Sequence, residues 1–125
     1  MRRVNLAALG LLLLFAAPAF AQDATVVDSD HYKVEFENDQ VRVLRITYGP
    51  GEKSVMHWHP DAVAVMLTDN TFRMHDPDGT SEDQSPKKGD VGWTDAVTHL
   101  PENLGDGTAE VILIEFKTKS EEGCK

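Results

Sequence analysis

The sequence predicts an all-β domain: one barrel of short strands, with few or no helices. Three observations carry that expectation. Short runs rich in β-branched and aromatic residues follow one another at close spacing, and turn-forming residues stand between them. From Gln22 onward no apolar period of the helical kind is sustained over three turns. Many short strands without helices close into a sandwich or a barrel.

The elements read in order as follows. Met1-Arg2-Arg3 is basic, the stretch from Leu6 to Ala17 is apolar apart from Gly10, and Pro18-Ala19-Phe20-Ala21 sets small residues at Ala19 and Ala21. This is the pattern of a cleaved export signal. Residues 1–21 are expected to be removed, leaving a periplasmic or secreted chain that begins at Gln22 and has no stable membrane insertion. Residues 22–37 are expected to be a flexible, acidic lead-in followed by the first strand, 31–37. The barrel domain is assigned to residues 38–118, with strands over 41–48, 54–59, 62–68, 71–76, 80–85, 91–94, 97–102 and 109–117. Asn38-Asp39, Gly49-Pro50-Gly51, Asp69-Asn70, Pro77-Asp78-Gly79, Lys88-Gly89-Asp90 and Gly105-Asp106-Gly107 supply the turns between them. Residues 119–125 are expected to be a flexible tail. The lone Cys124 there has no intramolecular partner and reads as a terminal thiol able to cross-link two chains.

Length and charge exclude whole classes of function. The chain has 125 residues, enough for one domain and no more. Its net charge is −9, and the first 21 residues hold two arginines and no acid, so the remainder is more acidic still. Such a chain repels phosphate, and neither nucleic acid nor anionic lipid is expected as a partner.

Two strands are apolar on both faces. In 62–68, Val63, Val65 and Leu67 oppose Ala62, Ala64 and Met66; in 109–117, Ile112, Ile114 and Phe116 oppose Val111 and Leu113. Both faces of such a strand need cover. Counting by alternation from His57 and His59 puts Val63, Val65 and Leu67 inside. The other face, Trp58, Ala62, Ala64 and Met66 with Val111 and Leu113, is then expected to meet a second copy in a homodimer.

The chemistry concentrates on histidine. His57 and His59 stand two apart in Gly51-Glu52-Lys53-Ser54-Val55-Met56-His57-Trp58-His59, so on a strand they project from one face and Trp58 from the other. His99 lies in the segment from Gly89 to Asn103 and can come in from a facing strand. On these residues alone, metal, core and surface roles all stay open.

The two segments together resemble the cupin family, over residues 41–116. The family's first motif runs Gly, five residues, His-x-His, three or four residues, Glu, six residues, Gly. Its second runs Gly, five residues, Pro-x-Gly, two residues, His, three residues, Asn. Gly51, His57 and His59 match the first; Gly89, His99 and Asn103 match the second with one residue fewer before the histidine. The resemblance implies a single small cupin-type β-barrel, jelly-roll-like, with one metal ion at the barrel mouth held by His57, His59 and His99.

The departures from the pattern define a three-histidine variant. The glutamate's place is taken by Val63 or Ala64, the closing glycine by Asn70 (which tolerates a left-handed turn), and the second motif's Pro and Gly by Asp95 and Val97. Asp61 has the parity to add an oxygen ligand, but after Pro60 it reads as a turn residue. His75 stands next to a hairpin tip and reads as solvent-facing, His31 as a surface residue, and Trp58 and Trp93 as packing groups. Asp95 or Glu102 is expected to orient a ligand imidazole by accepting its second ring proton.

Three neutral imidazoles leave a divalent transition ion with its full charge and open positions, which favours a small anionic chelating ligand. Fe, Mn, Ni, Cu and Zn all suit the donor set. The resemblance implies an oxygenase-like metalloenzyme, with a non-catalytic ligand- or metal-binding module as the alternative.

Overall fold

Turn chemistry cuts the chain where expected. The computed structural model describes residues 22–118; the expected export signal and the expected tail with Cys124 lie outside them. Gly51 and Gly89, which open the two histidine segments, adopt φ of 72° and 88°, a region closed to most side chains. Between the turns stand all nine expected strands: β1 (Tyr32–Glu37), β2 (Val41–Tyr48), β3 (His57–His59), β4 (Ala62–Met66), β5 (Phe72–His75), β6 (Ser81–Gln84), β7 (Val91–Thr94), β8 (Val97–Asn103) and β9 (Ala109–Phe116). Most expected boundaries shift by a residue or two. The larger change is in the run expected at 54–59, where only the last three residues are strand.

The strands form two antiparallel sheets, ordered β1-β2-β9-β4-β7 and β3-β8-β5-β6. The first is the stable one. β2 and β9 pair over their full length, from Val41 opposite Phe116 to Tyr48 opposite Ala109. Period-two alternation sends Ala109, Val111, Leu113 and Glu115 inward from β9, and Leu44, Ile46 and Tyr48 inward from β2. Burying one such leucine stabilises the fold by about 1.5–3 kcal/mol. Tyr32, Ala62 and Phe72 complete the core between the sheets.

The lead-in is tied down. Ala24–Val27 form a four-residue helix, α1, capped by the Asp23 carboxylate on the Thr25 amide at 2.9 Å, and Ala24 is fully buried. Asp23 also bridges to Trp58 on β3.

The inward face of β4 is the reverse of the one expected. Ala62 is buried in the core, Ala64 and Met66 pack against it, and they lie opposite Glu115, Leu113 and Val111 of β9. Val63 and Val65 face outward. The reason is the bend at Pro60-Asp61: it carries the chain from one sheet to the other, so alternation counted from His59 does not continue into β4. The apolar face left outside is therefore a different one. Across it run Phe36, Val43, Ile114, Val63 and Trp93, one from each strand of the five-stranded sheet. Phe36 is 54% and Trp93 59% exposed, and Trp93 stacks on Phe116 with ring centroids 5.6 Å apart.

Candidate metal centre

The shortest strand carries the site. β3 turns His57 and His59 inward, 0% and 2% exposed, and Trp58 outward. It pairs antiparallel with β8, with His57 directly opposite His99. The third histidine thus arrives from the neighbouring strand of the same sheet, not from a facing one. One ring nitrogen from each of the three lies within 4.8 Å of the others, which lets a single ion touch all three.

Hydrogen bonds set the tautomers. His57 Nδ1 lies 2.7 Å from the Val55 carbonyl oxygen, which can only accept, so Nδ1 carries the proton and Nε2 the lone pair. Ser54 Oγ lies 3.1 Å from the same nitrogen. His59 Nδ1 donates to Glu115 Oε1 at 2.6 Å, which likewise frees Nε2 as a donor to an ion. Burial and the neighbouring His59 push His57 down to about 4; burial and the same histidine pair push His99 down to about 3. Both are neutral at physiological pH. Among the described residues, buried His57 Nε2 and His99 Nε2 find no hydrogen-bond partner. An orphaned buried polar atom costs about 1–3 kcal/mol, and a Lewis acid at the centre of the cluster removes that cost. The residues present therefore fit a metal ion.

Comparison with solved structures identifies the architecture. A cupin domain from Bordetella pertussis Tohama I superposes with a TM-score of 0.65 at 26% identity, over 70% of this chain and 92% of that one. The fold is a cupin barrel. An RmlC-like cupin family protein with a double-stranded β-helix fold from Methanocaldococcus jannaschii is 16% identical, over 71% of this chain and 83% of that one, with a TM-score of 0.53. A cupin superfamily protein from Desulfitobacterium hafniense DCB-2 is also 16% identical, over 70% and 76%, with a TM-score of 0.51. No protein-family model and no curated protein matches the sequence.

Within this cupin barrel the support behind the histidines comes from residues that the sequence reading missed. Glu115, 1% exposed, accepts from His59 on one oxygen and from Arg42 Nε on the other at 2.7 Å. Arg42 Nη2 in turn reaches Asp23 Oδ2 at 2.7 Å. A lone acid among inward-facing Ala109, Val111 and Leu113 was the available signal. Asp95 and Glu102, expected in that role, are engaged elsewhere: Asp95 accepts from the Trp93 indole at 2.9 Å, and Glu102 lies 2.7 Å from His75 Nε2.

The remaining candidates divide. His75 stays at its hairpin, outside the cluster, and Asp61 accepts from the Ala96 amide at 2.8 Å as a turn residue. His31 is more than a surface residue. It lies 2.8 Å from Asp28 and 3.0 Å from Glu52, and it stacks on Tyr48 at 4.6 Å. Asp28 also accepts from Ser54 Oγ at 2.5 Å, which links His31 to the back of His57. Trp58 and Trp93 lie on the outside of the barrel rather than in the core. Asn70 does not use a left-handed turn, since every described residue with positive φ is a glycine. It is buried, with its side chain bonded to Thr68 and to the Met66 sulfur. Asn103, the last residue of the second motif, is a clasp: its amide nitrogen reaches the carbonyls of Tyr48, Gly49 and Gly107, at 3.3, 3.1 and 2.9 Å.

A cavity of about 340 Å³ opens in front of His59 and His99. Ala64 and Met66 line it in place of the expected Val63, Val65 and Leu67. Tyr32 packs its ring 4.8 Å from His57 and shares a 2.5 Å hydrogen bond with the Tyr48 hydroxyl. Burial raises both phenols, so both stay protonated.

Proposed function

We propose that this chain is an exported cupin of the three-histidine kind. In this reading His57, His59 and His99 hold one divalent transition ion, whether Fe, Mn, Ni, Cu or Zn, and the ion binds a small anionic chelating ligand. The observation that carries it is the pair of buried, unpartnered Nε2 atoms on His57 and His99, in a cluster whose Nδ1 protons on His57 and His59 are already committed. Ala64 lines the cavity at one of the two motif positions for the family glutamate, so no carboxylate dilutes the charge there. A bound divalent ion supplies Lewis acidity to the ligand's donor atoms and, where it is iron, redox chemistry of the oxygenase type. Val55 and Glu115 orient two of the imidazoles, and the apolar walls exclude water from the ligand.

The second reading is a non-catalytic binding module, which the mutual hydrogen bond of Tyr32 and Tyr48 favours because it commits one of the two phenol protons. Metal analysis followed by oxygen-uptake measurements on the iron-loaded chain, with thiolates, enolates and catecholates, separates the readings. Stoichiometric metal with ligand-dependent uptake supports the enzyme. Metal without uptake assigns the module, and a folded protein that takes no metal overturns the metal centre and leaves only a ligand-binding module.

Export rests on residues 1–21, and an intact mass beginning at Gln22 tests it. The partner of the outer sheet face is a second copy. Three of the acids that border its apolar rows are paired with a cation, Glu35 and Glu110 with Arg45 and Glu37 with Lys117. Pairing of these acids lessens the repulsion between two acidic chains that meet there. Light scattering under reducing conditions reads the outcome, and a monomer at micromolar concentration counts against it.

A further inference from the structure

We infer that the ligand of this centre has one chelating anionic head on an uncharged, aromatic body. The inference rests on the metal reading above and concerns the cavity in front of the histidines. Its apolar lining includes Ile46, Met66, Phe72, Met74, Val111 and Leu113. The polar side chains of the lining are few, Thr94 among them. His59 and His99 line it together with two phenols that are hydrogen-bonded to each other. Gln84 and Asp90, both exposed, mark the mouth.

Among the described residues, no lysine or arginine lines this space. The ion is then the only cation a ligand meets. It compensates one anionic head; a second anionic group on the body lies against hydrocarbon or near Asp90, and its lost hydration goes unreturned. The walls also favour a ring over a chain. Phe72 offers an aromatic face, and two methionines offer polarisable sulfur that packs well against ring edges. Size sets a further limit. The volume of about 340 Å³ is roughly eleven waters' worth at ~30 Å³ each, near the lower end for small-molecule sites. A ligand of order ten non-hydrogen atoms fills it.

The test holds the head constant and varies the body. The full chain is loaded with Co²⁺ and titrated with acetohydroxamate, benzohydroxamate and 4-carboxybenzohydroxamate, following the visible cobalt bands. Benzohydroxamate is expected to bind about thirty-fold more tightly than acetohydroxamate, from burial of the ring. The added carboxylate is expected to reverse at least about ten-fold of that gain. In Met74→Lys, which places a cation in the wall, the carboxylated compound is expected to recover relative to benzohydroxamate. The series on the unmodified chain decides the matter by itself where this variant does not fold. Equal binding of the first two compounds, or no penalty for the carboxylate, overturns the inference while cobalt binding leaves the metal reading intact. Failure to bind cobalt overturns the metal reading and the inference together.

Discussion

The two sheets of the barrel divide the work unequally. In the five-stranded sheet, β2 and β9 pair over eight residues each and bury Leu44, Ile46, Val111 and Leu113. In the four-stranded sheet, β3 is three residues long, β6 is exposed throughout, and the buried groups include His57, His59 and Asn103. Long pairing and apolar burial hold the fold in one sheet, while a short strand presents imidazoles in the other. The division has one exception. Glu115, on the stable sheet, reaches across the core to His59. Stability and metal ligation are thus separable by mutation at residues such as Leu44, and joined at Glu115.

The largest separation is expected at the ligands. His57→Ala, His59→Ala and His99→Ala should each lose most bound metal, because two neutral donors make a poor mononuclear site. His31→Ala and His75→Ala should keep it, as elemental analysis after desalting will read. Equal loss in His75→Ala would mean that the cluster has a further member. On the other sheet, Leu44→Ala should cost about 2–5 kcal/mol in denaturant unfolding while metal stoichiometry stays the same in the folded protein. At the exception both quantities should move. Glu115→Gln is expected to weaken metal about 10- to 100-fold and to lower the unfolding midpoint as well, since Arg42 loses an ionic partner. A change in affinity alone would confine Glu115 to the site.

The pH dependence of the metal-free protein sharpens the same contrast. Folded His57 and His99 titrate at about 4 and about 3, below the ordinary histidine value of 6.5. Between those values the unfolded chain takes up protons that the folded chain refuses. Stability from this source is therefore whole above about pH 6.5 and is lost as pH falls through about 4 toward about 3. Thermal unfolding of metal-free protein should show that decline, and bound metal should delay it. The smallest effect is expected at Val63→Glu. Its carboxylate points away from the site and should leave metal affinity within about two-fold, whereas Ala64→Glu, on the inward face, should tighten it through Coulomb attraction. A reversed result would restore the alternation first counted from the sequence.

The strands and the shared face of His57 and His59 were legible because their signals are local, whereas His99 was placed by its match to the second motif. Turn residues mark each strand's ends, and His57-Trp58-His59 states its own geometry. What could not be read depends on how distant segments meet. Alternation failed between His59 and Ala62 because Pro60-Asp61 moves the chain to the other sheet, and that exchanged the lining and outer faces of β4. Glu115 went unnoticed as a partner of His59 because only folding brings strands so far apart in sequence together. His31 read as a surface residue, although Asp28, Glu52 and Tyr48 enclose it.

The connection from Asp23 through Arg42 and Glu115 to His59 also has a consequence in time. A chain grows from its N-terminus, so Asp23 and all three ligand histidines exist before Glu115 does. During that interval His59 has no carboxylate to fix its ring, and an early encounter with an ion is correspondingly weak. Full affinity arrives only when the final strand slots between β2 and β4. Under the proposed metal reading, retention of the ion would then report that β9 has joined the sheet and brought Glu115 to His59.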